Sequence, residues 1–277
     1  MSATAITPGS PPEVKHPISV ALSDIRAGWQ RRQLWWMIAY QDLIAQYRRS
    51  RIGPFWITIQ MSAFVLGISV VYAGLFRQDF TTFLPYVAIG FLVWGLISTS
   101  VVDSTKAYFG QAGYIRSTSL PLSIYSYRTV ASHVWTFAHN VVPVVILLVL
   151  LRVVPSPWAI ILTPLGVIAI VLNAFFVCLW LGPVCARYRD IAPFVASAMQ
   201  LMMFITPVFW MVDSLPSRAA VIWNPFAYFL EAVRAPLLNE PVRPFVWLVI
   251  ISITIVNGFV ALVLFGRNRR WIAYWVG

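Results

Sequence analysis

Histidine, cysteine and the acidic residues are the usual carriers of catalysis, and here their spacing does not assemble them. His133 and His139 are six residues apart, off the four-residue step that places two ligands on one helical face. With Asn140 they suit hydrogen bonds between helices. Cys178 and Cys185 are seven apart. That spacing shares one helix face and suits packing, not redox chemistry or a disulfide scaffold. A phosphate-binding P-loop needs Gly-Lys, and the two lysines, Lys15 and Lys106, follow Val14 and Thr105. Hydrolysis of ATP by that route is excluded. No nucleophile–base–acid set and no metal-ligand set is visible.

Aromatic rings remain: 13 Trp, 11 Tyr and 18 Phe. Many suit the belts at membrane–water interfaces. Trp56, Phe64, Phe91, Trp94, Phe204, Phe209 and Trp210 fall within or beside long apolar runs. One reading is packing or lipid contact. The other is the wall of a conduit for a sugar chain. Sugar rings present apolar C–H faces that stack on aromatic rings without a fixed hydrogen-bond register, so a repetitive polymer can slide past.

The elements that must position these residues follow from composition. The chain has 277 residues, 60% hydrophobic and 10% charged, with a mean hydropathy of +0.77. Soluble domains carry about 25% charge, so a soluble enzyme and a disordered protein are both excluded. The reading is all-α: a polytopic membrane protein. Six apolar segments are each long enough to cross the hydrocarbon core, at about 54–76, 83–102, 129–151, 158–184, 191–212 and 244–266. None contains a Lys, Arg, Asp or Glu, so a proton relay lacks its usual parts. With the N-terminus inside, fifteen basic residues fall on inner segments and five on outer ones. That bias places both termini in the cytoplasm. It also explains the net charge of +11 as a topology signal, with no nucleic-acid partner.

Four pieces are not expected to span. Residues 1–22 read as a flexible cytoplasmic tail. Residues 23–50 read as one amphipathic helix, with Ile25, Trp29, Trp36, Tyr40, Leu43 and Tyr47 on a single stripe. Such a helix suits the headgroup layer or a partner's surface. Residues 103–128 form a long inner loop with Pro121 as a break between short helices. Within 213–243, Asn224 is a good cap and Pro225 suits the first helical position. Glu231 and Arg234 are spaced to pair. The resulting helix is too short to cross, so it is expected to dip into the outer leaflet and return, or to lie on it.

One signature resembles a known family. Asp42-Leu43-Ile44-Ala45-Gln46-Tyr47-Arg48-Arg49-Ser50-Arg51-Ile52-Gly53-Pro54-Phe55-Trp56 is similar to the approach to the first span in polysaccharide-exporting permeases of the type 2 ATP-binding-cassette (ABC) family. The arginine often found before the tyrosine of that pattern is replaced by Gln46. Five further stretches follow in the family's order: Leu84–Trp94, Ile115–Leu122, Arg189-Asp190-Ile191, Phe204–Trp210, and Asn224-Pro225-Phe226 with Glu231–Arg234.

The resemblance implies a homodimer of six-span subunits in a bacterial inner membrane, served by two copies of a separate cytoplasmic ATPase. ATP and magnesium belong to that partner, and this chain carries no cofactor. The implied cargo is an undecaprenyl-pyrophosphate-linked or other lipid-linked glycan: O-antigen first, then capsule, then teichoic acid. Ile115, Arg116, Leu120, Pro121 and Leu122 are implied to couple the permease to the ATPase. Tyr47, Arg48, Arg49 and Arg51 stand where guanidinium forks could meet the carrier's pyrophosphate, or could simply anchor the inner side. A type 2 drug exporter and a membrane-embedded glycan enzyme stay open as alternatives.

Overall fold

The computed structural model describes residues 16–46, 50–53, 55–212 and 219–277. Among them every regular element is helical. Two helices precede the membrane region, α1 (Pro17–Gln30) and α2 (Arg32–Gln46). The long helices are α3 (Phe55–Phe76), α4 (Phe80–Ser104), α6 (Ser123–Leu150), α7 (Ala159–Arg187) and α11 (Pro244–Trp275). All five are long and apolar enough to cross a membrane. Shorter helices are α5 (Ala112–Ser117), α8 (Ile191–Ile205), α9 (Ala219–Ile222) and α10 (Pro225–Leu237).

The spans emerge where the apolar runs lie, but their ends run further. α4 reaches Asp103, α6 begins at Ser123 and so carries Arg128, and α11 continues through Arg267, Arg269 and Arg270. Backbone hydrogen bonding continues past the apolar stretch because water at the surface tolerates both helix and charge. The expected fifth crossing is shorter than the others. Its helix, α8, stops at Ile205, and 15 residues reach about 22 Å. Pro207 explains the stop, since the residue before a proline is pushed out of the helical region, and Thr206 is extended at ψ 138°.

The segment expected as one helix over 23–50 is two helices, and it begins at Pro17. The break falls at Arg31. Its inward face is made of small or short residues, Ala21, Asp24 and Gly28, followed by Trp35, Ala39 and Leu43. The aromatic stripe is left largely outward, with Trp29, Trp36 and Tyr40 exposed. Residues 1–15 of the expected tail lie outside the described residues.

α4 forms the centre. Within its most apolar stretch 72% of residues are buried, against 11% for α3. It packs on α3, α6, α7, α8 and α10, so α3 is a peripheral helix with an open face. α7 and α11 form another close pair. Asn173, Trp180, Thr254 and Asn257 stitch them together: Asn173 Nδ2 donates to Thr254 Oγ1 at 2.7 Å and Trp180 Nε1 to Asn257 Oδ1 at 3.0 Å. Polar side chains joining helices in this way replace water that the membrane interior lacks. His139 does not join helices through its ring. Its Nδ1 contacts Trp135 O in its own helix at 2.8 Å. Cys178 and Cys185 are buried and free.

Candidate conduit and coupling face

Of the aromatic candidates, Trp56, Phe64 and Phe204 are exposed, at 40%, 46% and 55%. Phe64 on α3 meets Phe91 on α4, ring centroids 4.6 Å apart. Phe204 at the end of α8 meets Phe209 edge-on at 5.8 Å. Phe209 also touches Tyr72 at 5.5 Å, which closes the turn after α8 onto α3. Trp210 Nε1 donates to Phe204 O at 2.9 Å, and Tyr86 Oη donates to Trp210 O at 3.0 Å. Trp94 and Phe209 are enclosed by their own chain, each 4% exposed. Trp94 packs edge-on against Phe226 at 5.7 Å. The open rings therefore fall on α3 and α8, both packed on α4, while the enclosed Phe209 joins the turn after α8 to α3 and the enclosed Trp94 joins α4 to α10.

The end that holds the turn after α8 is organised by α10. Asn224 caps it, accepting from Phe226 N–H at 3.0 Å, and its Nδ2 reaches Thr206 Oγ1 at 2.8 Å. Pro225 occupies the first turn. The expected Glu231–Arg234 pair is not formed. Glu231 is held instead by Arg243, at 3.0 Å. Arg234 turns inward, 6% exposed, with Nη1 donating to Pro207 O at 2.6 Å and its guanidinium 3.7 Å from the centre of the Tyr86 ring. The spacing of three allows a pair, but the Tyr86 ring and the carbonyl of Pro207 offer the guanidinium a face and an acceptor together.

At the opposite end, α5 carries Ile115 and Arg116 of the expected coupling residues, and the turn that follows it carries Leu120, Pro121 and Leu122. Ile115 is buried against Ile272 and Val276 of the α11 end. Leu120 packs beside Trp35, Ala39 and Ile124, and Leu122 beside the Ile115 cluster. Arg116 is exposed, but its Nη2 donates to Val276 O at 2.8 Å. The outward surface is Gly113, Tyr114 and Arg116–Ser119. Tyr114, 62% exposed, is the large side chain there that the reading of the sequence passed over. Pro121 is half-buried in the turn between α5 and α6.

Arg51 is exposed, and Ser50 Oγ accepts from the N–H groups of Ile52 and Gly53, both at 3.2 Å. Gly53 has φ +61°, a left-handed conformation that glycine adopts without a Cβ penalty. Tyr47, Arg48 and Arg49 lie outside the described residues.

Two charged contacts at this end were not legible in the spacing. Arg128 on α6 grips Asp42 on α2 with two bonds, Nε–Oδ2 2.6 Å and Nη2–Oδ1 2.8 Å, and reaches Gln111 Oε1 at 2.7 Å. Asp24 on α1 is 3% exposed. It accepts from Ser123 N–H at 2.8 Å, from Leu122 N–H at 3.2 Å and from Arg269 Nε. A carboxylate from one helix thus caps the positive N-terminus of another. Tyr108 lies beneath, bonded to Ser126 Oγ at 2.8 Å. Burial pushes its phenol well above the usual range, which keeps it a neutral hydrogen-bonding group.

The sequence profile described as "ABC-2 type transporter" matches residues 32–238, most of the chain and all of α2 through α10. The chain belongs to the ABC-2 type transporter family. Among its relatives is an O-antigen export system permease protein, RfbA, of Klebsiella pneumoniae, 23% identical over 73% of this chain and 79% of its own length. A second protein of that name and organism is 21% identical over 81% of this chain and 86% of its own length. RfbA of Myxococcus xanthus is 21% identical over 76% and 82%. In this ABC-2 chain four of the five helices long enough to cross lie inside the matched region together with α5 and α10, and α11 follows it.

Proposed function

We propose that this chain is the channel-forming permease of an ATP-driven exporter that moves a lipid-linked polysaccharide, O-antigen, across the bacterial inner membrane. The likeness to O-antigen export permeases over 73% to 81% of the chain carries the reading. In this reading α3, α4, α6, α7, α8 with the turn after it, and α11 are six crossings. α10 dips into the outer leaflet and returns, its 13 residues too short to span at about 20 Å. Both termini face the cytoplasm.

Two copies of the chain join through the flank made by α3 and α8. That flank supports the role because it leaves Trp56, Phe64 and Phe204 open in a single chain. Between the copies these rings, with Phe91, form the conduit and bind sugars by stacking. Two copies of a separate ATPase bind ATP and magnesium and press on Tyr114 and its exposed neighbours. Tyr47, Arg48, Arg49 and Arg51 meet the carrier's pyrophosphate.

The decisive experiment is deletion of the gene followed by location of the glycan. Export predicts lipid-linked polymer retained on the cytoplasmic side, recoverable by complementation. Polymer that is never made points to a biosynthetic enzyme, and polymer that still reaches the surface defeats the reading.

A further inference from the structure

A polar cavity of about 220 Å³ opens between α2, the end of α4 and α6, outside the aromatic flank and outside the arginines before α3. Its chemistry comes from Asp42, Asp103, Lys106, Gln111, Arg128 and His133. One water needs roughly 10–15 Å³ of such space, so the cavity holds several waters or one small polar group. The formal charges of its two carboxylates and of Lys106 and Arg128 cancel. His133 is 9% exposed. Its Nε2 lies 3.3 Å from Asp103 Oδ2 without the alignment of a hydrogen bond. A buried imidazole nitrogen so placed favours a further partner.

This balance selects among ligands. A phosphate would face both carboxylates and would have to draw Arg128 away from the two bonds it makes to Asp42. A metal ion would face Lys106 and Arg128, and among the described residues no three metal-type side chains cluster. A sugar hydroxyl both donates and accepts. Neighbouring hydroxyls on one ring can donate to Asp103 while accepting from Lys106 and His133. Gln111, which Arg128 holds at 2.7 Å, immediately precedes α5, so an occupant of the cavity sits one residue from the surface proposed to meet the ATPase.

We propose that this cavity binds a single sugar residue of the glycan at the cytoplasmic mouth; the proposal rests on the export reading above. The test uses the complete permease–ATPase complex in lipid nanodiscs. Two probes are titrated: the lipid-linked glycan extracted from producing cells, and undecaprenyl pyrophosphate without sugar. Lys106→Gln and His133→Gln are compared with the unaltered protein. Lys106 is exposed, so its replacement leaves folding intact even if His133→Gln does not. The expected result is about tenfold weaker binding of the glycan-bearing lipid, the scale of one lost hydrogen bond, with binding of the bare carrier unchanged. Equal weakening of both probes makes the cavity a phosphate site and overturns the proposal. No weakening of either makes it a water-filled space and overturns it too. If the unaltered complex binds neither probe, the export reading itself falls, and the sugar site with it.

Discussion

Asp24 and Arg269 lie 245 residues apart and form a hydrogen-bonded ion pair that ties α1 to the end of α11. The same carboxylate accepts two N–H groups at the start of α6, so one side chain joins three helices. Asp24→Ala leaves those donors and a guanidinium without their acceptor, at a cost of about 2–4 kcal/mol. Asp24→Asn keeps an acceptor and should cost less. Thermal denaturation of the purified protein, followed by size-exclusion fluorescence, should rank them wild type, Asn, Ala. Equal midpoints for all three would show that the junction adds nothing to stability.

Arg234 serves α10 through a flat contact, its guanidinium over Tyr86. A lysine keeps the charge but not the plane or the fork. Arg234→Lys should therefore destabilise the protein by about 1–3 kcal/mol, nearly as much as Arg234→Met. A lysine variant with the midpoint of the unaltered protein would contradict this account.

Gly90 brings α4 against the turn after α8. A Cβ there would meet Val208 O at 2.5 Å, whereas one at Gly95, on the same helix, meets nothing within 4 Å. Gly90→Ala should cost about 1–3 kcal/mol by overpacking. Gly95→Ala should be neutral or slightly stabilising, because alanine favours helix over glycine. The two denaturation midpoints, read side by side, check the close approach.

Single replacement of an open ring, Trp56, Phe64 or Phe204 by Ala, should slow export severalfold at most, since stacking on a sliding chain is shared. Replacing Phe64 and Phe204 together should stop export or shorten the exported chains, as seen by gel profiles of surface glycan. A single replacement that abolishes export in a fully folded protein would favour one fixed binding point over a conduit.

Tyr114 and Ile115 are neighbours with opposite roles. Tyr114→Glu alters an outward surface and should weaken ATPase association while leaving the denaturation midpoint within about 0.5 kcal/mol of wild type. Ile115→Ala removes a buried side chain and should cost about 2–4 kcal/mol. If pull-down of the ATPase is unaffected by Tyr114→Glu, the contact lies elsewhere.

The long helices were legible because a membrane span is announced by an unbroken apolar run, and so were the Asn224 cap and Pro225, because a cap is local chemistry. The division of α1 from α2 at Arg31 was not, since neither proline nor glycine stands at the break and only packing on α6 and α11 decides it. Nor was the partner of Asp42. Nearby arginines offered themselves in sequence, yet the grip comes from Arg128, 86 residues away. One clue existed: an arginine in the first turns of a membrane helix needs a counter-charge. Tyr114 and Ile115 show the same limit: the resemblance singles out Ile115, Arg116, Leu120, Pro121 and Leu122, while only folding reveals that Tyr114 turns outward and Ile115 inward.

α11 runs for 32 residues without an internal proline, about 48 Å of continuous helix against a hydrocarbon core of roughly 30 Å. At its start Arg243 holds Glu231 of α10, and near its other end Arg269 holds Asp24 of α1. Such a rod behaves as a lever with the bilayer as its fulcrum. A tilt of a few degrees imposed at one end displaces the other by a few ångströms in the opposite sense. Mechanical work done on one side of the membrane thus has a stiff path to the other that does not pass through the flank made by α3 and α8.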